Sequence, residues 1–584
     1  MYLTKSDYVL GISCPTKLSY KALKMYQVEV SDAMNEVFIE QGYQIQGLAR
    51  SAYPDGILIN TMNYQKSAEL TQQYLQNENV VLFEAAFIVD GCFFRVDILE
   101  KRGSKIRMIE VKSKSEDPDD IRPYKRNGFL CKFYWEIFTD ASFQYYNLQS
   151  IYGDNVTPYL ILIDKNAVAT VDDLHLAFEK GGTHLESIQK SEELGDPLLF
   201  EFNVKEYLDK MQEETRTNIE KLKGVIMSGE VVRSDIRQTC RSCEHRKTGG
   251  FEECVSTQLG WKVEDFKRNT IFDVWYMTKV NALLEQKKYF FEDLVVEDLY
   301  NSKDELGKKG KRQWLQITQI RDDLGEYVDP ELFERMDSWE YPLQLIDFET
   351  AVPPLPSVKG LKPFETMAFQ YSVHEYNEDG TLKHYDWIST RMKFPNFEFV
   401  RNLRKHLGDK GTVFCYSQHE NSVLTSIRKE LEGSQEQDRD ELIDWINSIT
   451  WKNNSPREMV DMFELVKLYY YHPKMGKSNS IKDVLPAVIH ESKFLKKKYS
   501  LGYSSANYND AKFLRDSENP YDLLKHEEGI AKGDEAMVAY LKIRQGDDSD
   551  ADLVEHVLKR YCELDTLAMV MIFEHWNELK QSNI

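Results

Sequence analysis

The sequence predicts a multidomain α/β protein. Three observations carry that expectation: a length of 584 residues, a globular composition, and strand-like runs alternating with helical stretches in two separate parts of the chain. At about 150 residues per domain, the length implies roughly three to four domains. Hydrophobic residues are 42% and charged residues 29%, close to soluble averages, so wholesale disorder is excluded. Lys plus Arg number 74 against 96 Asp plus Glu, a formal net charge of −22, which argues against coating nucleic acid by bulk charge. Any phosphate-binding surface must then be a local basic patch. No apolar run approaches the ~20 residues that span a bilayer, and the opening MYLTKSDYVLGISCPTKLSY lacks the apolar stretch of a secretory signal. A cytoplasmic protein with no membrane partner is expected. Eight cysteines are too few for a disulfide framework in so long a chain.

Local composition divides the chain into residues 1–255, a helical bridging region over 256–338, and residues 339–584. The first part opens helical and then gives two strand-like runs, VVLFEAAFIVDGCFFRVDILEKR and SKIRMIEVKSK, with turns at Gly91 and Gly103 and helices from about Phe133. The bridging region has Trp, Phe, Leu and Tyr at helix-compatible spacing and a solvated basic run at Lys308, Lys309, Lys311 and Arg312. The third part begins with LQLIDFETAV, a strand closed by VPPLP, and ends in a helix around 553–579.

In IRMIEVKSK, strand alternation sends Glu110 and Lys112 to one face and Ile109 and Val111 to the other. Asp97, in the preceding run FRVDILE, lies among apolar neighbours where an unpaired carboxylate is costly to bury. A divalent cation accounts for both acids, and phosphodiester cleavage needs such a cation to polarise the phosphoryl oxygen, with a lysine beside the attacking water. Glu-x-Lys alone is also a common surface ion pair. Taken with Asp97, the segment resembles the PD-(D/E)xK nucleases of the RecB family. That resemblance implies a restriction-endonuclease-like core, with Asp97 and Glu110 binding metal, Lys112 positioning or activating water, and Glu84 in LFEAAF at the upstream acidic position. It also places Gln144, in DASFQYYNLQ, near the scissile phosphate, with Leu148 where the family has Tyr.

Cys240-Arg-Ser-Cys243 is a metal-type pair, and Cys254 follows in the same polar segment. Cys14, in Ser13-Cys14-Pro15, is the natural fourth ligand. The set resembles the iron-sulfur RecB-like nucleases, including those of CRISPR adaptation, which implies a [4Fe-4S] cluster; four thiolates equally suit structural zinc. Cys92, Cys131, Cys415 and Cys562 read as small buried hydrophobes, and His245 as a surface residue.

In LQLIDFETA, Asp347 and Glu349 fall on one strand face, and two adjacent carboxylates repel unless a cation joins them. In Tyr561-Cys-Glu-Leu-Asp565, the phenol and the carboxylate lie one helical turn apart on the same side. VFCYSQHENSVL offers Glu420 as an intermediate acid, with Asp461 in MVDMFELV as a rival that equally suits a helix cap. This order resembles the DEDDy branch of proofreading-type exonucleases with an RNase H-like core. The resemblance implies that Asp347, Glu349, Glu420 and Asp565 hold two metal ions while Tyr561 orients the attacking water. The region from about Leu343 onward also resembles the uncharacterised exonuclease-like domain found fused to RecB-like nucleases. GKSNSIKDVLP lacks the first glycine of a phosphate-binding Walker loop.

Arg122, Lys125, Arg126 and Lys132, interleaved with Tyr124, Phe129 and Phe133, have the mixture that tracks phosphates and stacks on bases; Arg237, Arg241, Arg246 and Lys247, and Lys496, Lys497 and Lys498, are further basic clusters. Together the expectation is a Mg²⁺- or Mn²⁺-dependent nuclease with two centres. It would act exonucleolytically on single-stranded DNA or DNA ends in repair or defence, beside a helicase or similar partner, with RNA left open as a substrate. A nucleic-acid-binding scaffold without turnover is the alternative.

Overall fold

The computed structural model describes residues 2–28, 32–174, 178, 194–513, 519–522, 524, 533–544 and 551–582. It is a mixed α/β structure in two compact units. The first comprises Met1–Ile236, Ser242–Lys262 and Pro353–Glu365; the second comprises Arg237–Arg241, Val263–Val352 and Thr366–Ile584.

Among the described residues, the first unit has a seven-stranded sheet. Its strands are β1 (Leu3–Thr4), β2 (Ile57–Leu58), β3 (Asn79–Val89), β4 (Cys92–Arg102), β5 (Lys105–Glu116), β6 (Val156–Asp164) and β7 (Leu199–Asn203), in the order β2-β3-β4-β5-β6-β7 with β1 beside β4. The β3/β4/β5 meander is antiparallel. Asp90 and Gly91 both have positive φ, which matches a tight two-residue hairpin turn to the twist of its strands, and Gly103 serves the next turn. β6 runs parallel to β5, reached through the helix Lys132–Tyr152. On one sheet face Leu82, Phe94 and Met108 pack with Tyr8, Phe138 and Leu148 from helices; on the other Phe83, Ile98, Ile109 and Val111 pack with Ile45 and with Leu355. The Pro353–Glu365 segment is bound into this unit by backbone hydrogen bonds from Ala169 N to Leu361 O at 2.9 Å and from Gly360 N to Ala169 O at 2.7 Å.

The second unit has a five-stranded sheet among the described residues, and a two-stranded ribbon of β8 (Tyr327–Val328) with β14 (Tyr470–Tyr471). The sheet comprises β9 (Leu343–Ala351), β10 (Met367–Tyr376), β11 (Leu382–Ile388), β12 (Val413–Cys415) and β13 (Val460–Asp461), in the order β11-β10-β9-β12-β13. β9, β10 and β11 are antiparallel; β12 is parallel to β9, and β13 to β12. Alternation along β9 sends Ile346 and Phe348 to a core shared with helices Asn396–Leu407, His419–Gly433 and Arg439–Ile449. It sends Leu343, Leu345 and Ala351 to the core of the terminal helix, Ala551–Ser582. That helix is buried continuously from Tyr561 to Trp576, as an element apolar on most of its circumference must be. Gln370 Nε2 donates to Leu558 O at 2.8 Å and docks it on β10.

Three expectations are corrected. Residues 263–307 form short turns rather than sustained helix, because aspartate side chains take the backbone donors a helix would use: Asp293 accepts from the N–H groups of Tyr289 and Phe290, and Asp298 from that of Val295. Arg312 is not solvated. It is buried within the helix Lys308–Arg321, 4.4 Å from the Tyr471 ring centroid, and donates to Asn479 Oδ1. His245 is buried too, its Nδ1 3.0 Å from Tyr26 O and its ring against Tyr20.

Candidate functional site

In the first unit, Asp97, Glu110, Lys112 and Gln144 come together. Ile98 of β4 pairs with Ile109 of β5, which sets Asp97 beside Glu110 across the strands, and Asp97 Oδ2 accepts the Val111 N–H at 2.7 Å. Lys112 Nζ donates to Glu110 Oε1 at 2.8 Å. Gln144 Nε2 donates to Glu110 Oε2 at 2.9 Å and to Arg95 O at 2.8 Å, while Gln144 Oε1 is buried without a hydrogen-bond partner. Glu84 has φ +55, and the β3/β4 pairing skips it and Asp97 between Phe83↔Ile98 and Ala85↔Val96. Its carboxylate accepts from Arg50 Nη2 at 2.7 Å, yet its charge still reaches Asp97.

Two participants carry no motif. Lys5, on the N-terminal helix Lys5–Ser13, donates to the same Glu110 Oε1 at 2.8 Å and lies 3.5 Å from Asp140; Lys112 also pairs with Asp140. Asp140 sits one turn before Gln144 on helix Lys132–Tyr152, and that i, i+4 spacing was the one available signal. Burial pushes the Asp97 carboxyl up to about 7, reinforced by the Glu110 and Glu84 charges and opposed by Lys5 and Lys112. Burial would raise Glu110 as well, but the Lys112 and Lys5 ammoniums overcome it and hold that carboxyl well below the usual range. The oxygen donors suit a hard divalent cation, and the orphaned Gln144 Oε1 is one more acceptor beside them.

In the second unit, Asp347, Glu349, Glu420, Tyr561 and Asp565 converge. Asp347 and Glu349 project from β9 toward the terminal helix, which carries Tyr561 and Asp565. Glu420 lies in the first turn of helix His419–Gly433, delivered by a turn in which Ser417 has φ +90. Burial raises Asp347, Glu349 and Glu420 well above the usual carboxylate range, and the neighbouring acids push the same way: Asp565 on Asp347, and Asp347 on both glutamates. Asp565 is also raised by burial, but its surroundings oppose the shift, since Lys482, Tyr521 and Tyr561 favour its ionised form. Tyr521 donates to Asp565 Oδ1. Glu420 Oε2 is buried without a hydrogen-bond partner. A cluster of buried acids with an orphaned carboxylate oxygen fits divalent cations, which would reverse the sign of every shift.

Lys482, Tyr521 and Cys562 were not foreseen. Lys482 Nζ donates to the Tyr561 hydroxyl at 2.9 Å and lies 4.9 Å from the centroid of that ring. It belongs to GKSNSIKDVLP, so the motif was visible without its role. Cys562 is as buried as a small hydrophobe would be, but its thiol donates to Asp347 Oδ2 at 3.3 Å. The rival Asp461 is a helix cap: its Oδ1 accepts from Ser417 N at 2.8 Å and Phe463 N at 2.9 Å.

Of the sulfur set, Cys14 and Cys254 share a neighbour in the first unit. Cys14 Sγ donates to Ser234 Oγ at 3.3 Å, and Gln258 Nε2 reaches both Cys254 Sγ at 3.2 Å and Ser234 O at 2.8 Å. Cys243 precedes the short turn Glu244–Lys247. Cys240 lies in Arg237–Arg241, which belongs to the second unit, and accepts there from Arg237 N at 3.4 Å. Of the basic clusters, Arg241 gives its guanidinium to the carbonyls of Phe272, Val274 and Met277, and Lys498 pairs with Glu574. Residues 122–132 form a hairpin loop in which Lys125, Arg126 and Lys132 are exposed and Phe129 is 72% exposed.

Residues 344–480 match the model of a domain of unknown function, DUF2779. The match takes in Asp347, Glu349 and Glu420 and stops short of Lys482, Tyr561 and Asp565. No curated protein and no solved structure matches the chain. No helix of the described residues is long and apolar enough to cross a membrane.

Proposed function

We propose that this chain is a metal-dependent nuclease with an exonuclease centre in its second unit and a second centre in its first. The observation that carries the reading is the convergence of Asp347, Glu349, Glu420 and Asp565 with Tyr561 in one buried site. The β11-β10-β9-β12-β13 order supports an RNase H-like core, and the β3/β4/β5 meander with parallel β6 supports a restriction-endonuclease-like one.

Divalent cations, Mg²⁺ or Mn²⁺, supply polarisation of the phosphoryl oxygen and a water of lowered pKa. In the second unit Asp347, Glu349, Glu420 and Asp565 hold them. Tyr561 accepts the Lys482 hydrogen bond and its hydroxyl lies within hydrogen-bond reach of Asp565, a position from which it would orient the attacking water. In the first unit Asp97 and Glu110 hold metal with Glu84 in reserve, Lys112 steadies the water or the developing negative charge, and Gln144 fixes Glu110. The 122–132 hairpin, with cations around an exposed Phe129, suits single-stranded DNA: backbone phosphates meet lysine and arginine while a base stacks on the ring. Cys14, Cys240, Cys243 and Cys254 are proposed as [4Fe-4S] ligands. Broad visible absorbance in the purified protein is expected, and a colourless protein containing zinc would replace iron.

A second reading, in which the first unit binds nucleic acid without turnover, is favoured by the cations already on its acids: Lys5 and Lys112 on Glu110, and Arg50 on Glu84. One experiment separates the two. Labelled single-stranded DNA, duplex and RNA are incubated with the full chain in Mg²⁺ or Mn²⁺, beside Lys112→Ala and Asp347→Ala. Nucleotide release lost with Asp347→Ala supports the exonuclease centre. Cleavage lost with Lys112→Ala supports the second centre, and unchanged cleavage there supports the scaffold. No products under any metal would overturn the enzyme reading.

A further inference from the structure

We propose that Cys562 is a metal ligand of the second unit's site, so that this site takes a borderline-soft divalent ion of the zinc and cobalt type ahead of Mg²⁺. The inference rests on reading that site as a metal centre, and replaces Mg²⁺ with a softer ion as the one it prefers.

The Cys562 Sγ lies 3.3 Å from Asp347 Oδ2, and this sulfur, a carboxylate oxygen of Asp347 and one of Glu349 all lie within 4.8 Å of one another. Metal–sulfur bonds near 2.3 Å and metal–oxygen bonds of about 2.0–2.2 Å separate the ligands around one ion by roughly 3–4 Å, so the three atoms need little movement to share one. An independent observation points to a ligand. Glu420 is only 2% exposed, its Oε2 has no hydrogen-bond partner, and among neighbouring charges that of Asp347 bears on it most strongly. A buried carboxylate oxygen left without a donor is costly, and a cation is what it lacks. Helix geometry agrees, since Cys562 and Asp565 are spaced i, i+3 and face the same side of the terminal helix. Asp347 is only half-buried, the least enclosed of the three.

The chemistry follows from the donor set. Mg²⁺ demands hard oxygen ligands in near-ideal octahedral geometry and gives a thiolate no place. Zinc-type ions gain from sulfur, so one thiolate among carboxylates tilts the choice toward them. Ligation releases the thiol proton, now donated to Asp347, to solvent. The plain alternative is that Cys562 merely fills space beneath β9, as alanine or serine would.

The test is cobalt titration of the full chain after removal of exchangeable metal, read by the sulfur-to-cobalt charge-transfer absorbance, with Cys562→Ser, Cys562→Ala and Asp347→Asn beside the wild type. Cobalt at the other cysteines contributes equally to every protein and cancels in the difference spectra. The expected result is an absorbance increment in the wild type that all three variants lose, with zinc-over-magnesium preference falling at least about tenfold in Cys562→Ser. An increment that survives in Cys562→Ala but is lost in Asp347→Asn would overturn the thiolate ligand and leave the metal centre standing. Metal binding unaffected by Asp347→Asn would sink both. Circular dichroism confirms folding, and the serine and alanine variants back one another should either fail to fold.

Discussion

Asp97 gives the first unit a titration that can be measured directly. Its carboxyl is raised from the ordinary value near 3.8 to about 7, so between those values the folded chain holds a proton that the unfolded chain has lost. This contribution to stability is complete below about pH 4, declines as pH rises, and is gone above about pH 7. Asp97→Asn removes the titration. In chelator, the unfolding free energy of the variant relative to wild type should therefore climb from pH 4 to 7 and then level off, a rise on the order of a few kcal/mol; parallel curves would contradict the assignment. Lys482 makes the corresponding prediction in the second unit. Because it acts on Tyr561, Lys482→Met and Tyr561→Phe should each lower turnover by roughly 10²-fold and alter its pH profile. The double variant should cost little more than either alone, as coupled groups do. Multiplicative losses would place Lys482 in another role.

The helices and strands that deliver these residues differ in how plainly the sequence announces them. Antiparallel β3, β4 and β5 were readable from alternation and from Gly91 and Gly103, and β9 from LQLIDFETA followed by its prolines. Asp97 with Glu110, and Asp347 with Glu349, could be paired because neighbouring strands or alternate positions bring them together by local geometry. Lys5, Asp140 and Lys482 could not, since only the packing of distant helices carries them to those acids, and a lone lysine has no pattern of its own. Spacing misled between 263 and 307, where aromatic periodicity competed with aspartates that cap turns. Asp461 shows how such a cap is told from a ligand. Asp461→Asn, which keeps the acceptor, should leave the proposed nuclease activity in place, while Asp461→Ala should cost about 1–2 kcal/mol of stability from the lost cap of helix Met462–Tyr469. Activity abolished by the Asn change would make it a metal ligand after all.

At the level of the whole molecule, a net charge of −22 means that attraction to a polyanion must be local. The hairpin at residues 122–132 is the place to look. Replacing Lys125 and Arg126 with alanine should weaken single-strand binding and reduce the salt dependence of affinity by about one unit of slope per lysine or arginine removed, while Phe129→Ala should weaken binding without changing the slope. Equal slopes for all three proteins would move the interface elsewhere. The chain's connectivity also bears on any attempt to study one half in isolation. Immediately after the strand bearing Asp347 and Glu349, the polypeptide lends thirteen residues, Pro353–Glu365, to the other unit, where Leu355 is buried. A scissor cut at Lys262 would therefore free a fragment missing a plug from its own interior, and weakness in that fragment would report the missing plug rather than any dependence on catalysis downstream.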